Sequence, residues 1–167
     1  MIRPPETFRK MIRKPRPEDA AAAAALYNHY VLHSAATFET EPLSAEQMRL
    51  RLTAAVFCFV YERQGTIAGF CYAHDWKTRA AYRHTQEATV YVAPDCTGLG
   101  IGRRLVERLV AECRTTECRA LIACITADNE ASRRLFEAVG FRRVSYFEQV
   151  GRKFDRWLDV VDYELLL

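Results

Sequence analysis

The run Glu87-Ala-Thr-Val-Tyr-Val92 carries one carboxylate, stops at Pro94, and is followed by three alternating glycines, Gly98, Gly100 and Gly102, at the start of an amphipathic helical pattern. A glycine-rich turn feeding a helix N-terminus makes an anion pocket. The first amides of the helix lack partners, the helix dipole adds partial positive charge, and glycines let a phosphate approach the backbone. Glu87 stands upstream on the same strand, and the two-residue alternation puts it on one face with Thr89 and Tyr91. A candidate base and a phosphate cradle on one element suit a group-transfer enzyme with a phosphate-bearing donor. The glycine spacing is neither the G-x-G-x-x-G of a dinucleotide site nor a nucleotide-hydrolysing loop, since no Gly-Lys-Ser/Thr follows. By itself it also fits a plain tight turn.

The elements around this segment read as one mixed-sheet α/β domain over residues 11–167, preceded by an extension over residues 1–10 with prolines at 4 and 5. A strand starts at Met11. Asp19 is placed to cap a helix that opens with Ala20 to Ala25, a run of the strongest helix formers. After a break at 33–37, Ser44 and Gln47 form a capping-box pair that predicts a helix over 45–54. Residues 56–63 and 66–73 form a hairpin about Gln64-Gly65. A strand over 86–93, a helix over 101–115, a strand over 119–126 and a helix over 130–139 follow. A hairpin of 141–150 with 154–166 closes the domain.

At 167 residues, half of them apolar, the chain has the length of one domain and material for a sizeable core. A net charge of +3 argues against a nucleic-acid or membrane-surface partner. No apolar run approaches a membrane span, and residues 1–10 hold no apolar stretch of the kind a secretory signal needs. Six cysteines without a C-x-x-C pair read as reduced thiols packed as small hydrophobes, so a cytoplasmic location is expected. His29, His33, His74 and His84 form no close ligand pattern, and are read as structural or surface residues with no metal site.

Three longer stretches carry a resemblance. Thr97-Gly-Leu-Gly-Ile-Gly102 resembles the acetyl-CoA loop of the GNAT superfamily of N-acetyltransferases, with Thr97 where that loop has Gln or Arg. Asn129-Glu-Ala-Ser-Arg-Arg-Leu-Phe-Glu-Ala-Val-Gly-Phe141 resembles its second helix motif. Trp76-Lys-x-Arg79-x-Ala-Tyr82, Glu87-x-Thr89-Val-Tyr-Val92, Phe38-Glu-Thr-Glu-Pro42 and Val150-Gly-x-Lys-Phe-x-Arg-Trp157 are similar to the phosphinothricin and methionine sulfoximine N-acetyltransferases.

The resemblance implies a single-domain GNAT fold, with a mixed sheet of about seven strands, about four helices and splayed middle strands. It implies acetyl-CoA as donor, no metal, a small amino-acid-like acceptor and a homodimer. The donor would lie against Val90, Tyr91 and Val92, the loop from Thr97 through Gly98, Leu99, Gly100, Ile101, Gly102 and Arg103, and Asn129 with Ser132. Glu87 would be the general base. Arg79 would grip the acceptor carboxylate bidentately, and Phe38, Tyr82, Thr89 and Phe136 would wall the acceptor. Lys77 and Arg83 are read as solvated.

Phe136 occupies a position where the superfamily often has a tyrosine able to protonate the departing thiolate, so either the thiolate leaves without a side-chain acid or a neighbour such as Tyr91 substitutes. Two other functions stay open: acetylation of another amine, such as a protein N-terminus, and a CoA-binding module without catalysis.

Overall fold

The computed structural model describes residues 11–167; the expected extension over 1–10 lies outside the described residues. The chain runs β1 (Met11–Arg13), α1 (Ala20–His33), α2 (Ala45–Ala54), β2 (Phe57–Arg63), β3 (Thr66–Asp75), β4 (Thr85–Val92), α3 (Ile101–Cys113), β5 (Ala120–Thr126), α4 (Glu130–Val139), β6 (Arg142–Arg143), β7 (Phe147–Lys153) and β8 (Arg156–Leu166). The strands form one sheet of eight in the order β1-β2-β3-β4-β5-β8-β6, with β7 on β8.

Strands β2 and β3 read as continuous apolar runs because both of their faces are buried. Cys58, Val60, Phe70 and Tyr72 pack on one side against Ala23, Ala24, Tyr27 and Val31 of α1 and Met48 and Leu52 of α2. Phe59, Tyr61, Cys71 and Ala73 pack on the other side against Leu105, Val106 and Leu109 of α3 and Phe136 of α4. The turn joining the two strands has Gln64 and Gly65 at φ 54° and 75°, the geometry of a tight two-residue hairpin.

Helix α2 starts as its residues predict. Gln47 N–H donates to Ser44 Oγ at 3.1 Å, and Ser44 N–H donates to Gln47 Oε1 at 2.8 Å. Asp19 behaves differently from the expectation that it caps α1. Its carboxylate accepts from the Arg16 amide at 2.6 Å and from the Arg13 guanidinium at 2.7 and 3.0 Å. It therefore ties β1 to a short 3-10 turn, and no side-chain bond caps α1. The Arg13 cation holds this carboxyl below its usual range.

The centre of the sheet is where regularity stops. Strand β4 pairs with β3 along nearly all its length, from Gln86 opposite Asp75 to Val92 opposite Gly69. On its other side it runs parallel to β5 only from Thr85 opposite Ala120 to Glu87 opposite Ile122. Beyond Glu87 the two strands part, while β5 stays paired with β8 up to Thr126 opposite Val160. A V-shaped gap with Glu87 at its fork results.

The C-terminal region differs from the expected simple hairpin, and it supplies the eighth strand. Arg142 and Arg143 pair briefly with Glu164 and Tyr163, and the chain pairs again from Phe147 with a register shift before Gly151. Gln149, at φ 52°, sits within that irregularity. Polar residues at 142, 143, 145, 148 and 149 interrupt the apolar alternation a single strand would need. The β7 end of this hairpin locks the loop after α1. Buried Lys153 donates from Nζ to the Ser34 and Thr37 carbonyls, both at 2.8 Å, and Gly151 leaves room for Phe38, whose ring would lie 2.2 Å from any Cβ there.

Candidate active site

A cleft of about 1250 Å³ fills the gap between β4 and β5 and continues over the helix α3 N-terminus. Its walls bring together Phe38, Glu87, Thr89, Val90, Tyr91, Val92, Thr97, Gly98, Gly100, Ile101, Gly102, Arg103, Asn129, Ser132 and Phe136. Three expected site residues, Leu99, Arg79 and Tyr82, are not among these walls. Leu99 is exposed. Arg79 is exposed and Tyr82 half-buried on the segment between β3 and β4. That segment packs on itself: Trp76 meets Tyr82 edge-on at 5.3 Å, and the Lys77 ammonium lies 4.0 Å from the Trp76 ring centroid and 5.1 Å from that of Tyr82.

One end of the cleft is built from backbone. Ala93 donates its amide to Ala68 across β3 at 2.8 Å. The alternation of a strand then turns the amides of Val90 and Val92 the other way, into the gap. The carbonyl of Val92 is taken by the Tyr30 hydroxyl at 2.5 Å, so this edge offers a ligand the two amides and the Val90 carbonyl, which the same alternation turns into the gap. Helix α3 contributes more of the same. Its first intrahelical bond runs from Arg104 N–H to the Gly100 carbonyl, which leaves the amides of Ile101, Gly102 and Arg103 without helical acceptors.

The three glycines have different physical reasons. Gly98 and Gly100 sit at φ 76° and 74° with open space where a Cβ would point, a backbone that other residues adopt at a cost of roughly 1–2 kcal/mol. Gly102 is helical, and a Cβ there would lie 2.5 Å from Leu135 Cδ1 of α4, so a side chain there would have to displace Leu135. Asn129 caps α4 by accepting from the Ser132 amide at 3.1 Å. The Thr97 hydroxyl donates to the Pro94 carbonyl at 3.2 Å, and Arg103 pairs with Glu107.

The other end of the cleft is acid and aromatic. Burial pushes the Glu87 carboxyl above the ordinary carboxylate range, His74 opposes that rise, and the Asp162 charge adds to it. Tyr91 packs against Tyr27, Tyr30 and Phe70 with centroids at 5.0, 5.4 and 5.7 Å. Burial raises the Tyr91 and Tyr72 phenols, the latter to about 12, so both keep their O–H near neutral pH. Phe136 is 2% exposed and meets Phe141 edge-on at 5.0 Å.

Three residues of this wall were not singled out as site residues in the sequence. Arg51 of α2 lies 5.2 Å from the Tyr27 ring and is ion-paired to Glu39. His74 stands beside Glu87. Cys124 opens onto the cleft, and desolvation together with the Asp162 and Glu87 charges pushes its thiol to about 12. A helix arginine, a lone strand histidine and a cysteine in an apolar run carry no local signal of a site; only the register and the docking of α2 bring them there. No group of three or more His, Cys, Asp or Glu side chains that could hold a metal ion occurs among the described residues.

Residues 23–141 match the Acetyltransferase (GNAT) family. The chain is 38% identical over 160 residues to an L-amino acid N-acyltransferase of Escherichia coli (strain K12), covering 93% of each. It is 40% identical over 155 residues to a phosphinothricin N-acetyltransferase of Alcaligenes faecalis, covering 90% of this chain and 79% of the relative. Its fold is similar to the crystal structure of a GNAT superfamily phosphinothricin acetyltransferase from Sinorhizobium meliloti in complex with acetyl-CoA. The TM-score is 0.91 at 30% identity, over 95% of this chain and 88% of that one.

The glycine geometry predicts two separable variants. Gly100→Val forces an unfavourable φ at the anion cradle, so acetyl-CoA affinity measured by calorimetry should fall about tenfold or more, with a destabilisation of about 1–2 kcal/mol that leaves the chain folded. Gly102→Val drives a side chain into Leu135, and overpacking of this kind destabilises by about 1–3 kcal/mol, read by urea unfolding. Equal acetyl-CoA affinity in Gly100→Val and wild type would remove the loop from the donor site.

Proposed function

The chain belongs to the Acetyltransferase (GNAT) family, and from that premise we propose that it acetylates the α-amino group of a small amino acid or amino-acid analogue by direct attack on the thioester of acetyl-CoA. The position of Glu87 carries this reading. Its carboxylate stands at the fork where β4 leaves β5, and the unpaired amides of Val90 and Val92 follow on the same strand. Acetyl-CoA, when bound, supplies the electrophilic acetyl group. Amides pointing into a gap can hold a carbonyl oxygen as negative charge develops on it, and the amides of Ile101, Gly102 and Arg103 suit a pyrophosphate. An amine near neutral pH is mostly protonated, and a carboxyl raised by burial is better matched to take that proton than an ordinary one. The raised Cys124 thiol supports direct transfer, since a protonated thiol is a poor nucleophile for an acyl-enzyme route. Phe136 has no proton to give the departing thiolate, whereas Tyr91 keeps one.

A carboxylate-bearing acceptor needs a cation. Arg51 is the arginine whose guanidinium reaches the acid and aromatic end of the cleft, and its partner Glu39 lines the same wall. We therefore assign the acceptor carboxylate to Arg51, with Arg79 as the competing residue. The exposed Phe147, Val150, Phe154 and Trp157, the last 60% exposed, cluster apolar surface along the β7–β8 hairpin and its turn, which supports a homodimer.

A panel of amino acids with acetyl-CoA, followed by free-thiol release, tests the reaction; release without any amine dependence would contradict it. Glu87→Gln should lower turnover about 100-fold or more, the scale of general-base removal, with acetyl-CoA affinity unchanged. Glu87 acts deprotonated, so wild-type turnover should fall as pH drops through a value above that of an ordinary glutamate. Wild-type-like turnover of Glu87→Gln across pH would refute the assignment.

Arg51→Ala should raise the amino-acid KM about tenfold or more, as expected for a charged hydrogen bond of roughly 1.5–3 kcal/mol, and should leave a decarboxylated amine unaffected. The same carboxylate-dependent loss in Arg79→Ala instead would place the contact on residues 76–84. Sedimentation should give twice the 19.2 kDa chain mass, and a monomer would contradict the dimer.

A further inference from the structure

We propose that His74 relays to solvent the proton that Glu87 takes from the acceptor amine. This rests on Glu87 as base and adds a positioning residue that acts through it. The sheet register sets His74 of β3 directly opposite Glu87 of β4, with His74 Nε2 3.9 Å from Glu87 Oε1. The ring orientation is fixed from its other side. His74 Nδ1 lies 2.9 Å from the Asp75 backbone carbonyl, and a carbonyl oxygen only accepts, so Nδ1 carries a hydrogen in either charge state. Nε2, turned towards Glu87, is the nitrogen that gains and loses the proton. The two side chains also form a gradient of access to water: His74 is 40% exposed and Glu87 27%. A single water, or a small rotation of either side chain, closes the 3.9 Å separation.

The other groups around the pair do not offer that path. Cys124 faces Glu87 from β5, and its thiol stays protonated. Asp162 of β8, opposite Cys124, adds negative charge that favours the protonated form of Glu87. The Tyr72 ring lies 5.8 Å from the His74 ring and keeps its phenolic proton near neutral pH. The Asp75 carboxylate accepts from Gln86 at 3.1 Å. Arg51 is held by Glu39.

An ammonium N–H bond breaks, and its proton goes to Glu87 Oε1. The freed nitrogen lone pair forms the C–N bond as the C–S bond breaks, and the sulfur leaves with its electron pair. Glu87 passes its proton to His74 Nε2, which restores the carboxylate, and the imidazolium releases it to water. The second nitrogen proton ends on the sulfur. The products are the amide, the CoA thiol and one solvated proton.

Two measurements on the full chain test this. In His74→Gly, turnover at saturating acetyl-CoA should fall about tenfold in a non-imidazole buffer and rise with added imidazole, while keeping the acid-side fall that Glu87 sets. His74→Gln, which keeps bulk at the site, should show the same loss without rescue. Acetyl-CoA affinity should be unchanged in both. Turnover within about twofold of wild type, or a loss that imidazole leaves untouched, would overturn the relay. The second measurement needs no substrate: Glu87→Gln should move the NMR signal of His74 Nε2, and an unmoved signal would equally overturn it. If the wild type acetylates no amino acid, the reading of the reaction fails, while this signal still decides whether the two residues are coupled.

Discussion

The parting of β4 from β5 after Glu87 is the constraint on which the rest of the site depends. A sheet interior normally satisfies every amide across the next strand, and an unpaired buried amide costs about as much as a lost hydrogen bond. Here the freed edge is supported from both faces. Val90 and Val92 pack towards the α3 side of the sheet, and Tyr91 is held among Tyr27, Tyr30 and Phe70 on the α1 side. Tyr30 also takes the Val92 carbonyl. The amides left facing the gap suit an acceptor atom such as a thioester oxygen, and the Val90 carbonyl between them suits a donor.

From that fork the cleft divides by charge. Towards α3 it presents amides and a helix N-terminus, and towards α2 it presents Glu87, tyrosines and the Arg51–Glu39 pair. A donor rich in phosphate and an acceptor carrying amine and carboxylate would therefore enter from different ends and meet beside Glu87. The β7–β8 hairpin shapes the acceptor end from a distance. Lys153, buried against the Ser34 and Thr37 carbonyls, and Gly151, beneath Phe38, fix the loop that closes the wall there. Lys153 is 5% exposed, and burial lowers its pKa, so the ammonium is spent on structure and is unavailable to a substrate.

Much of this was legible in the residues. The capping pair at Ser44 and Gln47, the glycine loop into α3 and the alternation of Glu87, Thr89 and Tyr91 are local patterns, and local geometry reproduces them. What was not legible depends on long-range register or docking. His74 joins the site because β3 and β4 pair in one register and not the next, and Arg51 because α2 docks beside Tyr27. Arg79 was singled out by resemblance, yet it is not among the cleft walls, and its segment packs on itself through Trp76, Lys77 and Tyr82. Asp19 had the sequence position of a helix cap, but the nearby Arg13 guanidinium and Arg16 amide recruited its carboxylate. Gly102 looked like a third loop glycine, and its reason is the approach of Leu135.

We place the donor on the open strand edge together with the α3 N-terminus. Amide hydrogen exchange, resolved by residue with and without acetyl-CoA, measures this directly. Acetyl-CoA should slow exchange at Val90, Val92 and Ile101 to Arg103, and leave β2 amides, already paired within the sheet, unchanged. Bound acetyl-CoA with unaltered exchange at Val90 and Val92 would contradict the account.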